Sequence, residues 1–77
     1  MTAGERVGYH IKALRIKSGC TQETVANELF ISQSYLRRIE HGKANPSVNM
    51  VHKIVSFLDA RISGVEPPEE DSAGDGG

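Results

Sequence analysis

Four side chains near the middle of the sequence carry the hydrogen-bonding chemistry of base recognition: Gln33, Ser34, Arg37 and Arg38. A glutamine amide can pair both edge atoms of adenine in the major groove. An arginine guanidinium can pair both acceptors of guanine, or grip a phosphate through two parallel bonds. Gln33 with Arg37, and Ser34 with Arg38, are spaced i, i+4, so each pair shares one side of a helix. Leu36 and Ile39 fall on the other side, three residues apart, and would turn inward. Gln22 adds another amide at the head of a preceding helix, where unpaired backbone N–H groups favour an anion.

Other chemistries find little footing. Asp59 is the only carboxylate between Glu40 and Glu66, no Ser/His/Asp or Cys/His arrangement is suggested, and no phosphate-binding glycine loop appears. A chain of 77 residues is also too short to enclose a usual substrate pocket. No enzyme, cofactor or small-molecule substrate is expected. His10, His41, His52 and Cys20 lack paired ligand spacing, so no metal site is expected. His41 reads as a surface residue. A lone Cys20 forms no intramolecular disulfide and reads as a small core residue in a reducing compartment. No stretch approaches the roughly 18–20 apolar residues that span a bilayer, and no apolar leader follows a basic start. The expectation is a cytoplasmic protein with no membrane partner.

The net charge of −1 conceals a division along the chain. Residues 1–65 hold nine bases against five acids, a net of +4, whereas residues 66–77 hold five acids (Glu66, Glu69, Glu70, Asp71, Asp75) and no base. The second segment, EPPEEDSAGDGG, has no apolar residue larger than Ala73 and reads as a disordered, solubilising acidic tail. A basic 1–65 unit suits a polyanionic partner.

The elements that must hold the polar stripe are helical. Val7, Ile11, Leu14 and Ser18 fall on one helix face, and Gly19 is placed to end that helix in a left-handed conformation. Thr21 suits the N-cap of a second helix, with Glu23 in its first turn and Val25, Ala26 and Leu29 inward. Ser32 caps the third helix and Gly42 closes it. Asn45-Pro46 marks a turn, and Ser47 caps a fourth helix with Val48, Val51, Ile54, Val55 and Leu58 as its apolar stripe. Asp59 to Val65 fits either a short fifth helix or an irregular arm. No run alternates as a strand would. The fold class is therefore all-α, a compact bundle of four to five helices. Within it, residues 21–39 have the layout of a helix-turn-helix, the small Ala26 allowing close helix crossing.

The chain resembles the phage-repressor/Cro (Xre-type) helix-turn-helix family, whose lambda-repressor-like domain matches about two thirds of the sequence. The resemblance rests on Ile11, Leu14, Arg15, Gly19, Thr21-Gln22-Glu23, Ala26, Leu29, Ile31-Ser32, Leu36, Ile39-Glu40, Gly42-Lys43, Asn45-Pro46-Ser47 and Leu58. It implies five helices, with the third as recognition helix. It implies that Gln22 binds phosphate, that Gln33 and Ser34 read bases beside Ser32, that Arg37 and Arg38 reach bases or flanking phosphates, and that Lys43 and Asn45 touch the DNA backbone. Tyr35, at a variable position of that helix, fits either a thymine methyl or sugar-phosphate contact or a surface role. Arg15 and Glu40 match a salt bridge joining the first helix to the end of the third.

One residue departs from the pattern. Phe30 stands where the family usually has glycine, because the backbone there is often left-handed and a phenylalanine would be strained. Either the turn has another shape, or burial of the ring compensates; an exposed ring would suggest a partner contact.

The expected function is sequence-specific binding of double-stranded DNA by a homodimer at a near-palindromic operator, as a repressor or autoregulator. Helix four and the segment through Ile62 and Val65 are the candidate dimer surface, where Arg61 could pair with Asp59 or a partner's acid. Restriction-modification controller proteins and small phage repressors have this size and layout. The alternative is a protein-interaction module, such as an antitoxin, using Phe30, Tyr35 or the tail.

Overall fold

The computed structural model describes residues 1–64 as four helices: α1 (Ala3–Ser18), α2 (Gln22–Leu29), α3 (Gln33–Glu40) and α4 (Val48–Ser63). The described residues contain no strand. Each helix begins on a hydroxyl. Thr21 Oγ1 accepts from Thr24 N–H, Ser32 Oγ from Tyr35 N–H and Ser47 Oγ from Met50 N–H, each at 3.0 Å. At α1, Thr2 Oγ1 accepts from Glu5 N–H and Glu5 Oε1 accepts from Thr2 N–H, a reciprocal capping box that starts the helix before its first large apolar residue, Val7.

The first three helices end in one and the same way. After α1, Gly19 N–H donates to Ile16 C=O and Cys20 N–H to Arg15 C=O; after α3, Gly42 N–H donates to Ile39 C=O and Lys43 N–H to Arg38 C=O. Gly19 and Gly42 are left-handed, with φ of 79° and 72°. These are Schellman closures, which satisfy otherwise orphaned carbonyls. The closure of α2 repeats them, with Phe30 N–H donating to Asn27 C=O and Ile31 N–H to Ala26 C=O. Its left-handed residue is Phe30, at φ 58° and ψ 40°.

Both expectations for Phe30 are settled here. The turn keeps the left-handed shape, and burial does not compensate, because the side chain is 95% exposed. It is the only non-glycine with positive φ among the described residues.

The core gathers Ile11, Val25, Leu36, Ile39, Ile54 and Leu58, all buried, with Val7, Leu14, Cys20, Leu29, Ile31 and Tyr35 among the side chains partly covered against it. Ala26 is buried as well, on the inner face of α2. α1 packs on α4 and α3, and α2 packs on α3 and α4. α1 approaches α3 closely at Gly8, where an added Cβ would stand 2.3 Å from the Ile39 carbonyl oxygen and 2.7 Å from that of Glu40. A glycine within a helix costs about 1 kcal/mol relative to alanine. Here it permits a backbone-to-backbone approach that no other residue allows.

Three sequence expectations need correction. Asp59 to Ser63 is neither a fifth helix nor an arm, but the last part of α4, which Gly64 ends at φ 74°. Val48 does not belong to the inner stripe of α4: it opens the helix and is 84% exposed. Arg61 lies 5.0 Å over the ring of Phe57, an intrahelical cation–π contact at i, i+4, instead of pairing with Asp59. The acidic segment 66–77 and Val65 lie outside the described residues.

Candidate nucleic-acid interface

α2 and α3 are joined by Phe30, Ile31 and Ser32. Ile31 reaches the core as the residue after the left-handed position, and Ser32 caps α3, so both ends of the connection are anchored. α3 is then fixed by Leu36 and Ile39, both fully buried. Its other side presents Gln33, Ser34, Arg37 and Arg38, every one exposed. Ser32, Lys43 and Asn45 are exposed too, at the two ends of the helix. The structure thus gathers the expected stripe on one solvent-facing surface.

Tyr35 is placed differently from its neighbours. It is half-buried and packs against the core, so only part of its ring is open to a ligand. Arg38 is braced: its Nη2 donates to the Lys43 carbonyl at 3.2 Å, tying α3 to the loop that follows. Arg37 has no such tether among the described contacts.

Behind this surface lies a charged cluster. Arg15 Nε donates to Glu40 Oε2 at 2.6 Å and Arg15 Nη2 to Glu40 Oε1 at 3.1 Å, while Nη1 donates to the Cys20 carbonyl at 3.2 Å. The Glu40 side chain is 1% exposed and that of Arg15 14%. Gln22 Nε2 also donates to Glu40 Oε1, at 3.1 Å. A carboxylate held by three N–H donors, two of them from one guanidinium, is a buried charge with its hydrogen bonds satisfied. The expected phosphate-binding Gln22 therefore has its amide nitrogen committed inside the protein. Its carbonyl cannot donate to phosphate, which leaves the second N–H of the amide and the backbone N–H groups opening α2.

Lys12, Gln22, Gln33 and His41 border an open depression that Arg15 and Glu40 floor. It joins the heads of α2 and α3 to the end of α3. Lys12 was not among the residues singled out in the sequence. The available signal was its i, i+3 spacing from Arg15, which puts both on one side of α1. His41 is exposed, as expected. Cys20 is half-buried against the core. Among the described residues no group of three or more His, Cys, Asp or Glu is placed to hold a metal, and no helix is long and apolar enough to cross a membrane.

An all-α unit whose two central helices, joined by a short turn, hold a polar, cationic face outward over a buried apolar core defines a helix-turn-helix domain. The chain matches the family model described as helix-turn-helix over residues 11–65, and it belongs to that family. It is 36% identical over 52 residues to an uncharacterised helix-turn-helix-type transcriptional regulator of Archaeoglobus fulgidus, a match covering 68% of this chain and 74% of the relative. It is 36% identical over 63 residues to the uncharacterised regulator YazB of Bacillus subtilis, covering 82% of this chain and 91% of the relative. An immunity repressor protein of Bacillus phage phi105 is 34% identical over 59 residues; the match takes in 77% of this chain but only 41% of that longer repressor. No solved structure matches the chain at a comparable level. The family is one of DNA-binding transcriptional regulators.

Proposed function

We propose that this protein is a sequence-specific repressor or autoregulator that binds a near-palindromic operator as a homodimer in the cytoplasm. The observation that carries the reading is the division of α3, with Leu36 and Ile39 sealed in the core and Gln33, Ser34, Arg37 and Arg38 all exposed on the opposite side. Gln33 and Ser34 at the head of α3 read base edges. Arg37 reads a base or grips a phosphate, and Ser32, Lys43 and Asn45 fix the helix against the backbone from either end. Tyr35 contributes the open edge of its ring. Gln22, Lys12 and His41 border a seat for a phosphate beside the head of α2.

One such surface covers few base pairs. Pairing through α4 and the chain beyond it would present two recognition helices to half-sites about one DNA turn apart. The 1–65 unit serves recognition and dimerisation, and residues 66–77 are an acidic appendage. Among the relatives, the phage immunity repressor favours repression over activation.

The test is binding to the duplex upstream of the protein's own gene beside a shuffled duplex, across a salt series. Preference for the native duplex, two protomers per site and a steep loss with salt are expected. Equal weak binding to both would sink autoregulation and place the operator elsewhere or make a protein the partner, which a pull-down then decides. The exposed Phe30 ring favours one second reading, a protein-interaction module of the antitoxin kind. Replacing Arg37 and Arg38 by alanine discriminates the two, since it abolishes operator binding and leaves a protein partner's affinity nearly unchanged.

A further inference from the structure

From Leu29 to Leu58 the chain exposes no carboxylate. Its one acid in that span, Glu40, is 1% exposed at the side chain and is consumed by Arg15 and Gln22. Arg37, Arg38 and Lys43 are exposed in the same span, and none lies within ion-pair distance of a carboxylate among the described residues. Of the cations elsewhere, Lys53 is exposed on α4, Lys12 shares its depression with Glu23, and Arg61 lies over the Phe57 ring. The face of α3 thus carries three exposed cations without an ion-pair partner among the described residues, and a patch of that kind attracts a nearby polyanion.

A polyanion is attached to it. Residues 66–77 bring five carboxylates and no base, against a net of +4 on the rest of the chain. They follow Gly64, where α4 ends, through the single residue Val65. Extended chain spans up to about 3.4 Å per residue, so Asp71 can stand roughly 24 Å from Gly64 and Asp75 roughly 37 Å. α4, of 16 residues, runs about 24 Å back to its start beside the end of α3, so the later acids of the segment can reach that end. Tethering holds such a segment at a millimolar effective concentration, enough to make a weak ionic contact significant.

We infer that residues 66–77 occupy the Arg37, Arg38 and Lys43 face of α3 when DNA is absent, as a tethered anion that DNA must displace. The inference rests on the DNA reading of α3 and adds regulation to it. Duplexes that replace the tail at many phosphates win; those offering only a few contacts are rejected. The tail thus lowers non-specific binding more than operator binding.

The experiment compares the full chain with a full-length variant carrying Glu66→Gln, Glu69→Gln, Glu70→Gln, Asp71→Asn and Asp75→Asn. Amide and arginine Nε–H resonances are recorded without DNA at about 20 mM and about 500 mM salt, where screening lengths differ roughly fivefold. Signals of Arg37, Arg38 and Lys43 should differ between the two proteins at low salt and coincide at high salt. Affinity for a random-sequence duplex should rise about three- to tenfold in the variant. Coincident α3 signals at low salt overturn the inference, even if the variant binds DNA more tightly, because long-range repulsion then suffices. Differences confined to α1 or α4 overturn it too. Spectra that differ on α3 while neither protein binds any duplex support the contact and sink instead the DNA reading of the site.

Discussion

Arg15 and Glu40, twenty-five residues apart, meet through two hydrogen bonds, one to each carboxylate oxygen, that tie α1 to the end of α3. Glu40 is the more deeply buried partner. Arg15→Ala therefore strands a carboxylate out of reach of water and should destabilise by about 3–5 kcal/mol, the usual cost of breaking a buried pair. The double replacement Arg15→Met with Glu40→Leu removes both charges and should cost less than Arg15→Ala alone. Urea unfolding of the two variants decides it, and a double variant that is the less stable would contradict this account.

Two glutamines border the same depression and should separate in their effects. Gln22 donates to Glu40, so Gln22→Ala should lower stability by about 1 kcal/mol as well as weakening DNA binding. Gln33 is exposed, with no such bond among the described contacts, so Gln33→Ala should leave the unfolding midpoint unchanged and relax base preference at one operator position. Unfolding curves together with binding to a set of singly substituted duplexes provide the check.

Phe30 holds a left-handed backbone without burying its ring. Left-handed geometry costs a residue with a Cβ roughly 1–2 kcal/mol, and glycine returns part of that gain through its freer unfolded state. Phe30→Gly should thus stabilise by about 1 kcal/mol, worth several degrees in Tm for a domain of this size. Phe30→Ala keeps the Cβ and should stay within about 0.5 kcal/mol of the parent. A loss of stability in Phe30→Gly would mean that the ring makes a contact inside the fold.

Gly8 and Gly4 both lie in α1 and should respond oppositely to alanine. A Cβ at Gly8 meets main-chain oxygens of α3, which cannot move aside without displacing the helix, so Gly8→Ala should cost about 2–3 kcal/mol. A Cβ at Gly4 meets its nearest neighbour, the Gly42 carbonyl oxygen, at an ordinary 3.7 Å. Gly4→Ala should be neutral or gain a few tenths of a kcal/mol from helix propensity. Thermal unfolding of the pair measures the contrast.

What could be read from the sequence was what short-range chemistry decides. Thr21, Ser32 and Ser47 cap helices because a hydroxyl satisfies an N–H three residues on, and Gly19 and Gly42 mark helix ends because of their own φ. The outward stripe of α3 follows from helical spacing alone. Thr2 and Glu5 carried the start of α1 in their i, i+3 spacing, yet no apolar run stood beside them to draw attention. The extent of α4 past Asp59 was obscured by the charged and small residues of its last turns. Gly8 and the Gln22–Glu40 bond had no local signature at all. Both depend on how α1 and α2 meet the end of α3, a relation between distant parts of the chain.

The matched helix ends bear on the speed of assembly. Each of the first three helices is delimited on both sides by hydrogen bonds spanning no more than five residues, so its limits are set before any helix meets another. The main docking left to complete is that of α1 on α4, at opposite ends of the described chain. Helical domains of such local wiring acquire their native state in microseconds to milliseconds. A freshly made chain then reaches its folded state almost at once after synthesis, so folding sets no delay on the domain.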